Sequence, residues 1–254
     1  MKKIDYIVTG TGRSGTVYMA RVLTSSGILC GHETIFDYTG LNGAKKRLEE
    51  QQYLYLSIAS SITIDPKDGT INHIKWNPDV QNIVAESSYM AAPFLKEDLV
   101  KDAKIIHAVR NPIKVINSFC NYIYYFGNGQ DVSKKDRDVA LLYESFIYKF
   151  VPELKLDMPQ YDRAALYYVR WNQMIENANP HFFFRVEDEL DSLMLFLDKP
   201  MNKNLFDDRS INTFKKQGAN DFNYHQIQSR YILSELLEMA KKYDYDIKSD
   251  YFLI

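Results

Sequence analysis

A short apolar run that ends in a glycine-rich turn is the feature that most limits how this chain can fold. The run covers residues 3–9, and the turn reads Gly10-Thr11-Gly12-Arg13-Ser14-Gly15-Thr16. Apolar side chains then recur at helical spacing, at Val17, Ala20, Val22 and Leu23, before Gly27 ends the pattern. A strand, a glycine turn and a helix in this order predict a β–α unit whose backbone N–H groups point at an anion.

Further apolar runs alternate with helical patterns along the rest of the chain. We predict strands at 28–30, 82–87, 104–109 and 181–186, and helices at 44–62, 111–126, 138–151, 160–178 and 229–242, with another helix starting at Glu187. Loops are expected at 63–80 and at 131–138. This alternation predicts an α/β fold, with a parallel sheet flanked by helices in a P-loop NTPase-like three-layer sandwich. We expect residues 1–254 to form one domain.

Composition excludes several classes of protein. The 31 basic and 33 acidic residues leave a formal charge of −2, which argues against a nucleic-acid-binding protein. Two cysteines are too few for a disulfide framework and favour a reducing compartment, so a cytoplasmic protein is expected. No apolar run is long enough to span a bilayer. The histidines lack metal-ligand spacing, so no metal is expected.

The glycine turn differs from the Walker A loop of nucleoside-triphosphate enzymes. Gly10 and Gly15 have the Walker separation, but Thr16 stands in the place of the lysine and Val17 in that of the Mg²⁺-binding hydroxyl. The basic residue is Arg13, inside the turn. The sequence therefore predicts a phosphate cradle without the triphosphate apparatus. A plain β–α turn is the alternative.

A second candidate anion site follows the strand at 104–109. Arg110 ends that strand, Asn111-Pro112 opens a helix, and Ser118 lies two turns along it. An arginine has a fork of donors suited to phosphate. The alternative is a surface arginine beside an Asn-Pro helix cap.

These two segments resemble the two nucleotide-binding motifs of the sulfotransferases that use 3′-phosphoadenosine-5′-phosphosulfate (PAPS). The resemblance implies a sulfotransferase that moves a sulfuryl group from PAPS to a hydroxyl or amine of a carbohydrate or small-molecule acceptor. It implies that the 5′-phosphosulfate is held by Gly12, Arg13, Ser14, Gly15 and Thr16, and the 3′-phosphate by Arg110 and Ser118. Fainter likeness to a loop that closes over the nucleotide lies at Lys215 and Lys216.

The acceptor must lose a proton, and the sequence offers three bases. Cytosolic members of that family carry a histidine after the third strand, where this chain has Glu86-Ser87-Ser88. Other members use a glutamate after the second strand, where His32-Glu33 stands here. Glu33 is the first candidate base, His32 the second and Glu86 the third, while Arg13 is expected to stabilise charge on the leaving phosphate. A small-molecule kinase and a non-catalytic nucleotide-binding protein are the rival functions, and the oligomeric state stays open.

Overall fold

The fold is taken from a computed structural model of the chain. It describes residues 3–50, 62–64, 71–74, 83–122, 126, 134–200 and 222–246. Side chains are described throughout these ranges except at 62–64, 71–74, 121–122 and 134–140.

Five parallel strands form the central sheet, as the alternating pattern predicts. They are β1 (Tyr6–Thr9), β2 (Cys30–His32), β5 (Ala85–Ser87), β6 (Lys104–Val109) and β7 (Phe182–Arg185), in the spatial order β2-β5-β1-β6-β7. Ile7 in the central strand β1 lies opposite Glu86 on one side and Ile105 on the other. Because all five strands run the same way, the segments that follow them meet at one edge of the sheet.

Helices cover both faces of the sheet. They are α1 (Thr16–Ser25), α2 (Gly40–Glu50), α3 (Pro112–Asn117), α4 (Lys134–Phe150), α5 (Gln160–Glu176), α6 (Asp191–Phe196) and α7 (Arg230–Lys242), and a 3₁₀ helix spans Tyr89–Phe94. None of the helices among the described residues has the length and apolar character needed to cross a membrane.

The core is divided by the sheet into two layers of buried side chains. Ile7 and Ile105 pack on one face with side chains of α3 and α5, among them Trp171. Their sequence neighbours Val8 and Ile106 pack on the other face with α1 and α6. This period-two alternation is what a strand buried on both sides requires, and it confirms the three-layer architecture.

Several predicted elements are wrong in type or in bounds. Antiparallel strands β3 (Ile62–Ile64) and β4 (Ile71–Ile74) lie where the sequence predicted the end of a helix at residue 62 and a loop over 63–80. Helix α4 begins at Lys134 inside the predicted loop 131–138, because a charge-rich sequence is compatible with a helix as well as with a loop. Helix α6 begins at Asp191 and not at Glu187, and α2 begins at Gly40 rather than at residue 44.

Two of these differences affect the candidate site. Strand β2 extends to His32, so that residue ends the strand instead of following it. The helix predicted over 111–126 is α-helical only to Asn117 and continues as a π-helical turn over Ser118–Tyr122. A π turn widens the helix locally and changes the direction of the side chains at its start, which here include Ser118.

Candidate active site at the carboxyl edge of the sheet

The turn after β1 has the strained backbone of a loop built around a ligand site. Arg13 and Gly15 both have left-handed φ angles, 66° and 92°. A side chain on Gly15 would also press on Val186, whose Cγ1 lies 3.0 Å from the position that a Cβ would take. A left-handed conformation in a non-glycine residue costs about 1 kcal/mol or more, so Arg13 is held in place by its contacts.

Helix α1 begins at Thr16 without a side-chain cap on its N-terminal amides. Ser14 turns its own N–H back to the Thr11 carbonyl at 3.1 Å, which closes the turn in front of the helix. The Ser14 hydroxyl is buried and has no hydrogen-bond partner among the described residues. An uncapped helix N-terminus beside a buried, unpartnered hydroxyl is suited to an anion, because both lack the acceptor that an anion supplies.

Gly12 is needed for the shape of the loop, and its N–H does not point at the candidate anion site. Its N–H donates to the Tyr167 hydroxyl at 2.8 Å, towards the core. A Cβ at this position would lie 2.7 Å from Cζ of Phe119, too close for any side chain. Sequence reasoning placed Gly12 among the phosphate-binding residues; its amide is already satisfied by Tyr167.

Arg13 joins the two predicted anion sites. Its Nε donates to Oγ of Ser118 at 2.8 Å, and its backbone carbonyl accepts from Nη1 of Arg110 at 3.1 Å. The segments predicted to bind opposite ends of one nucleotide are therefore in direct contact at the ends of adjacent strands β1 and β6. Ser118 accepts this bond and keeps its own O–H as a donor.

Arg110 is held by its backbone as well as by its guanidinium. The Tyr168 hydroxyl donates to the Arg110 carbonyl at 2.9 Å, and the next residue, Asn111, caps α3 through the Ile113 N–H. Burial lowers the pKa of Arg110, an effect that the nearby Glu187 carboxylate opposes. An arginine stays protonated under such a shift, so a partly buried positive charge lies at the end of β6.

His32 lies at the end of β2 against the start of α1. Its Nε2 is 3.1 Å from Oγ1 of Thr16. Burial, together with the positive charges of Arg13 and Arg21, lowers the pKa of His32 to about 4. His32 is therefore neutral at physiological pH, and it contacts the start of α1 as an uncharged group.

Glu33 follows directly, with a left-handed φ of 53°. Its N–H donates to the Ser87 carbonyl at 3.2 Å, which continues the pairing of β2 with β5 and turns the side chain out of the sheet. Burial raises the pKa of Glu33 to about 7; Arg13 opposes this shift and Asp37 adds to it. The carboxyl lies 3.8 Å from Nε2 of His32 and keeps 22% of its side chain exposed. A carboxyl that ionises near neutral pH and still reaches solvent can take a proton from a substrate.

Glu86 lies within the sheet and not at the site's surface. It is fully buried, and its Oε1 accepts from the N–H groups of Ile35 and Phe36 at 3.0 and 3.3 Å. Burial raises the pKa of Glu86 to about 8 although those N–H groups oppose the shift. These contacts give Glu86 a structural function, the anchoring of the loop that follows Glu33. Ser88, two residues further on, caps the 3₁₀ helix by accepting from the Met90 N–H.

The structure thus brings together Arg13, Thr16, His32, Glu33, Arg110 and Ser118, all predicted from the sequence. Sequence reasoning missed Tyr167 and Tyr168, whose signal is hidden inside the apolar pattern of α5, and Arg21, a buried arginine on α1. Lys215 and Lys216 lie outside the described residues.

The chain is similar to known proteins at the level of solved structures. No protein-family model and no curated protein matches the chain. Among solved structures, it is similar to one described as the sulfotransferase domain from the curacin biosynthetic pathway, with a TM-score of 0.45 and 17% sequence identity. That similarity covers 96% of this chain and 99% of the other.

Proposed function

We propose that this protein is a PAPS-dependent sulfotransferase, with the turn at residues 10–16 as the phosphosulfate site. The proposal rests on one observation: Arg13, in the turn after β1, is hydrogen-bonded to Ser118 and Arg110 of the second candidate anion site. The Glu33 carboxyl, whose pKa is raised, lies within electrostatic range of Arg13. PAPS carries phosphate-type groups at two ends of one nucleoside, and two partly buried cations at adjacent strand ends suit such a ligand.

The donor would be held by groups that the structure already orients. The uncapped first turn of α1, the Ser14 hydroxyl and the Arg13 guanidinium would bind the 5′-phosphosulfate. Arg110 and the O–H of Ser118 would bind the 3′-phosphate. The left-handed backbone of Arg13 keeps its side chain between the two sites.

The chemistry assigned to these residues is an in-line displacement at sulfur. The acceptor oxygen forms a bond to sulfur while the bond from sulfur to the bridging phosphate oxygen breaks, and the electron pair of that bond stays on the phosphate. Arg13 and the helix N-terminus stabilise the charge that develops there. Glu33 takes the proton of the acceptor hydroxyl, so the products are 3′-phosphoadenosine-5′-phosphate, a sulfated acceptor and a protonated Glu33.

The contacts favour Glu33 over the other two candidate bases. Glu86 is fully buried and committed to backbone N–H groups. His32 is uncharged and able to accept a proton, but its Nε2 already contacts Thr16, so we assign it to orienting Thr16 and Glu33.

The acceptor side of Glu33 is bounded by aromatic side chains. Tyr143 on α4 lies within electrostatic range of Glu33. Burial raises the pKa of Tyr143 to about 12, and the negative charge of Glu33 contributes to the shift. Its ring meets the edge of Tyr38 at 6.1 Å between centroids, and Tyr38 is 47% exposed. Such a wall suits an uncharged ring-shaped acceptor, a small molecule or a carbohydrate.

Calorimetry with three nucleotides tests the donor. We expect 3′-phosphoadenosine-5′-phosphate to bind at least tenfold more tightly than AMP, since each charge-assisted bond to the 3′-phosphate contributes about 1.5–3 kcal/mol. ATP that binds only with Mg²⁺ would favour the kinase instead. Equal affinity for the bisphosphate and AMP would refute the proposal.

Labelled PAPS with a panel of sugars, phenols and amines tests turnover. We expect transfer to at least one hydroxyl acceptor by the wild-type protein, and its loss in Glu33→Gln with nucleotide binding retained. Glu235→Gln, which changes a carboxylate on α7 that pairs with Arg170, is the matched control. Nucleotide binding without transfer to any acceptor would favour a non-catalytic binding protein.

A further inference from the structure

Two adjacent tyrosines on α5 each reach one of the two strand-end segments. The Tyr167 hydroxyl accepts from the Gly12 N–H at 2.8 Å, in the turn after β1. The Tyr168 hydroxyl donates to the Arg110 carbonyl at 2.9 Å, at the end of β6. Gly12 and Tyr167 are 155 positions apart in the sequence, and Arg110 and Tyr168 are 58 positions apart. One turn of α5 therefore holds both segments.

The helix is a rigid support for these contacts. Both tyrosines are completely buried. The Tyr167 ring packs against Phe119 and Trp171, each at 5.1 Å between centroids, so its hydroxyl has little freedom to move. Burial raises the pKa values of both phenols well above the ordinary value, and they stay uncharged. They therefore fix backbone positions without adding charge to an anion site.

We infer that Tyr167 and Tyr168 are positioning residues that set the distance between the 5′ and 3′ phosphate sites of the donor nucleotide. This inference rests on the proposed function. Strands β1 and β6 are neighbours in the sheet, but the sheet does not determine where the segments beyond their ends lie. Tyr167 fixes the Gly12 peptide, and with it the start of the turn that carries Arg13 and Ser14. Tyr168 holds the Arg110 backbone while the Arg110 guanidinium reaches the Arg13 carbonyl.

The two hydroxyls have separable effects on the ligand. Loss of the Tyr167 hydroxyl loosens the turn that contacts the 5′ group, which 3′-phosphoadenosine-5′-phosphate and AMP share. Loss of the Tyr168 hydroxyl loosens Arg110, which only a 3′-phosphate uses. Loss of the hydroxyl from a tyrosine that merely stabilises the core would lower the melting temperature and leave the affinity for both nucleotides unchanged.

The experiment compares Tyr167→Phe and Tyr168→Phe with Tyr243→Phe by calorimetry. Tyr243, the residue that follows α7, is the control, because its buried hydroxyl donates to Oε1 of Glu176 on α5 at 2.9 Å and not to either loop. We expect Tyr167→Phe to weaken binding of both nucleotides by about two- to tenfold, the effect of one lost hydrogen bond. We expect Tyr168→Phe to weaken the bisphosphate by a similar factor and to leave AMP within about twofold of wild type.

Each result has one meaning. Wild-type protein that binds neither nucleotide would overturn the proposed function and this inference with it. Wild-type protein that binds the bisphosphate while all three variants bind like it would overturn the inference alone. The inference is supported if the three variants have equal melting temperatures, Tyr167→Phe weakens binding of both nucleotides, and Tyr168→Phe weakens binding of the bisphosphate alone. If a variant fails to fold, Tyr167→Met or Tyr168→Met, which fills the space without a hydroxyl, replaces it in the same comparison.

Discussion

If the proposed sulfuryl transfer takes place, its pH dependence identifies the base, because the three candidate groups ionise in different ranges. Burial raises the pKa of Glu33 to about 7 and that of Glu86 to about 8, whereas burial lowers that of His32 to about 4. A base is active in its deprotonated form, so activity rises with pH through the pKa of the group that acts. With Glu33 as the base, about a tenth of the protein is active at pH 6 and about nine tenths at pH 8.

The assay is kcat/KM for a saturable acceptor, measured with labelled PAPS from pH 5 to pH 9 at constant ionic strength. This parameter reports ionisations of the free enzyme. We expect a tenfold rise per pH unit below about 6.5, a midpoint near pH 7 and a plateau above pH 8. A base at His32 would give a flat profile over this range, and one at Glu86 would move the midpoint to about 8.

The variant Glu33→Gln completes the test. The amide keeps the size of the side chain but cannot take a proton, so we expect kcat to fall by about 10²–10⁴-fold. Affinity for 3′-phosphoadenosine-5′-phosphate should not weaken, because a negative charge beside an anion site has been removed. A variant that keeps wild-type kcat, or keeps the midpoint near pH 7 in its residual activity, would refute Glu33 as the base.

Three further changes test other parts of the site and fold. Arg110→Lys loses the guanidinium fork, so binding of 3′-phosphoadenosine-5′-phosphate should weaken about tenfold with AMP little changed, by calorimetry. The pKa of Glu86 is higher in the folded protein than in the unfolded chain, so its stabilising effect is complete below about pH 4.5 and is lost as pH rises through about 8. Tm of the wild type should therefore fall between pH 5 and 8.5, and Glu86→Gln should make that fall smaller. Gly12→Ala forces a Cβ against Phe119 and should destabilise the fold by about 1–3 kcal/mol in urea unfolding.

Each of these changes has its own control. Arg170→Lys alters an arginine whose partners are Glu153 and Glu235, away from the loops, and it should leave nucleotide affinity unchanged. Parallel Tm curves for wild type and Glu86→Gln would contradict the linkage argument. Phe119→Leu should restore part of the stability lost in Gly12→Ala, and additive losses would mean that the contact is not the cause.

The glycine turn and the arginine after β6 were readable from the sequence because both depend on local requirements. A tight turn between a strand and a helix needs residues that accept left-handed backbone, and the sequence shows Gly15 there. Helix α4 and the β3–β4 pair were misread for the opposite reason. The charges at the start of α4 suit a solvated loop as well as a helix, and the short apolar runs of β3 and β4 stand among Pro66, Gly69 and Pro78, which are typical of a loop.

The relation among the three candidate bases was not readable from the sequence. Glu33, His32 and Glu86 differ in burial and in their neighbours, which only the packed sheet defines. Glu86 looks like a strand-end carboxyl in the sequence, yet its oxygen is taken by the amides of Ile35 and Phe36.

The sequence alone determined the α/β class and the composition of both candidate anion sites, since hydrophobic periodicity and turn chemistry act over a few neighbouring residues. Tertiary structure decided the contact of Arg13 with Ser118 and Arg110, and the reach of Tyr167 and Tyr168 to the two loops. Those contacts join residues far apart in the chain. They exist only where parallel strands end side by side under one helix, an arrangement set by packing of the whole core.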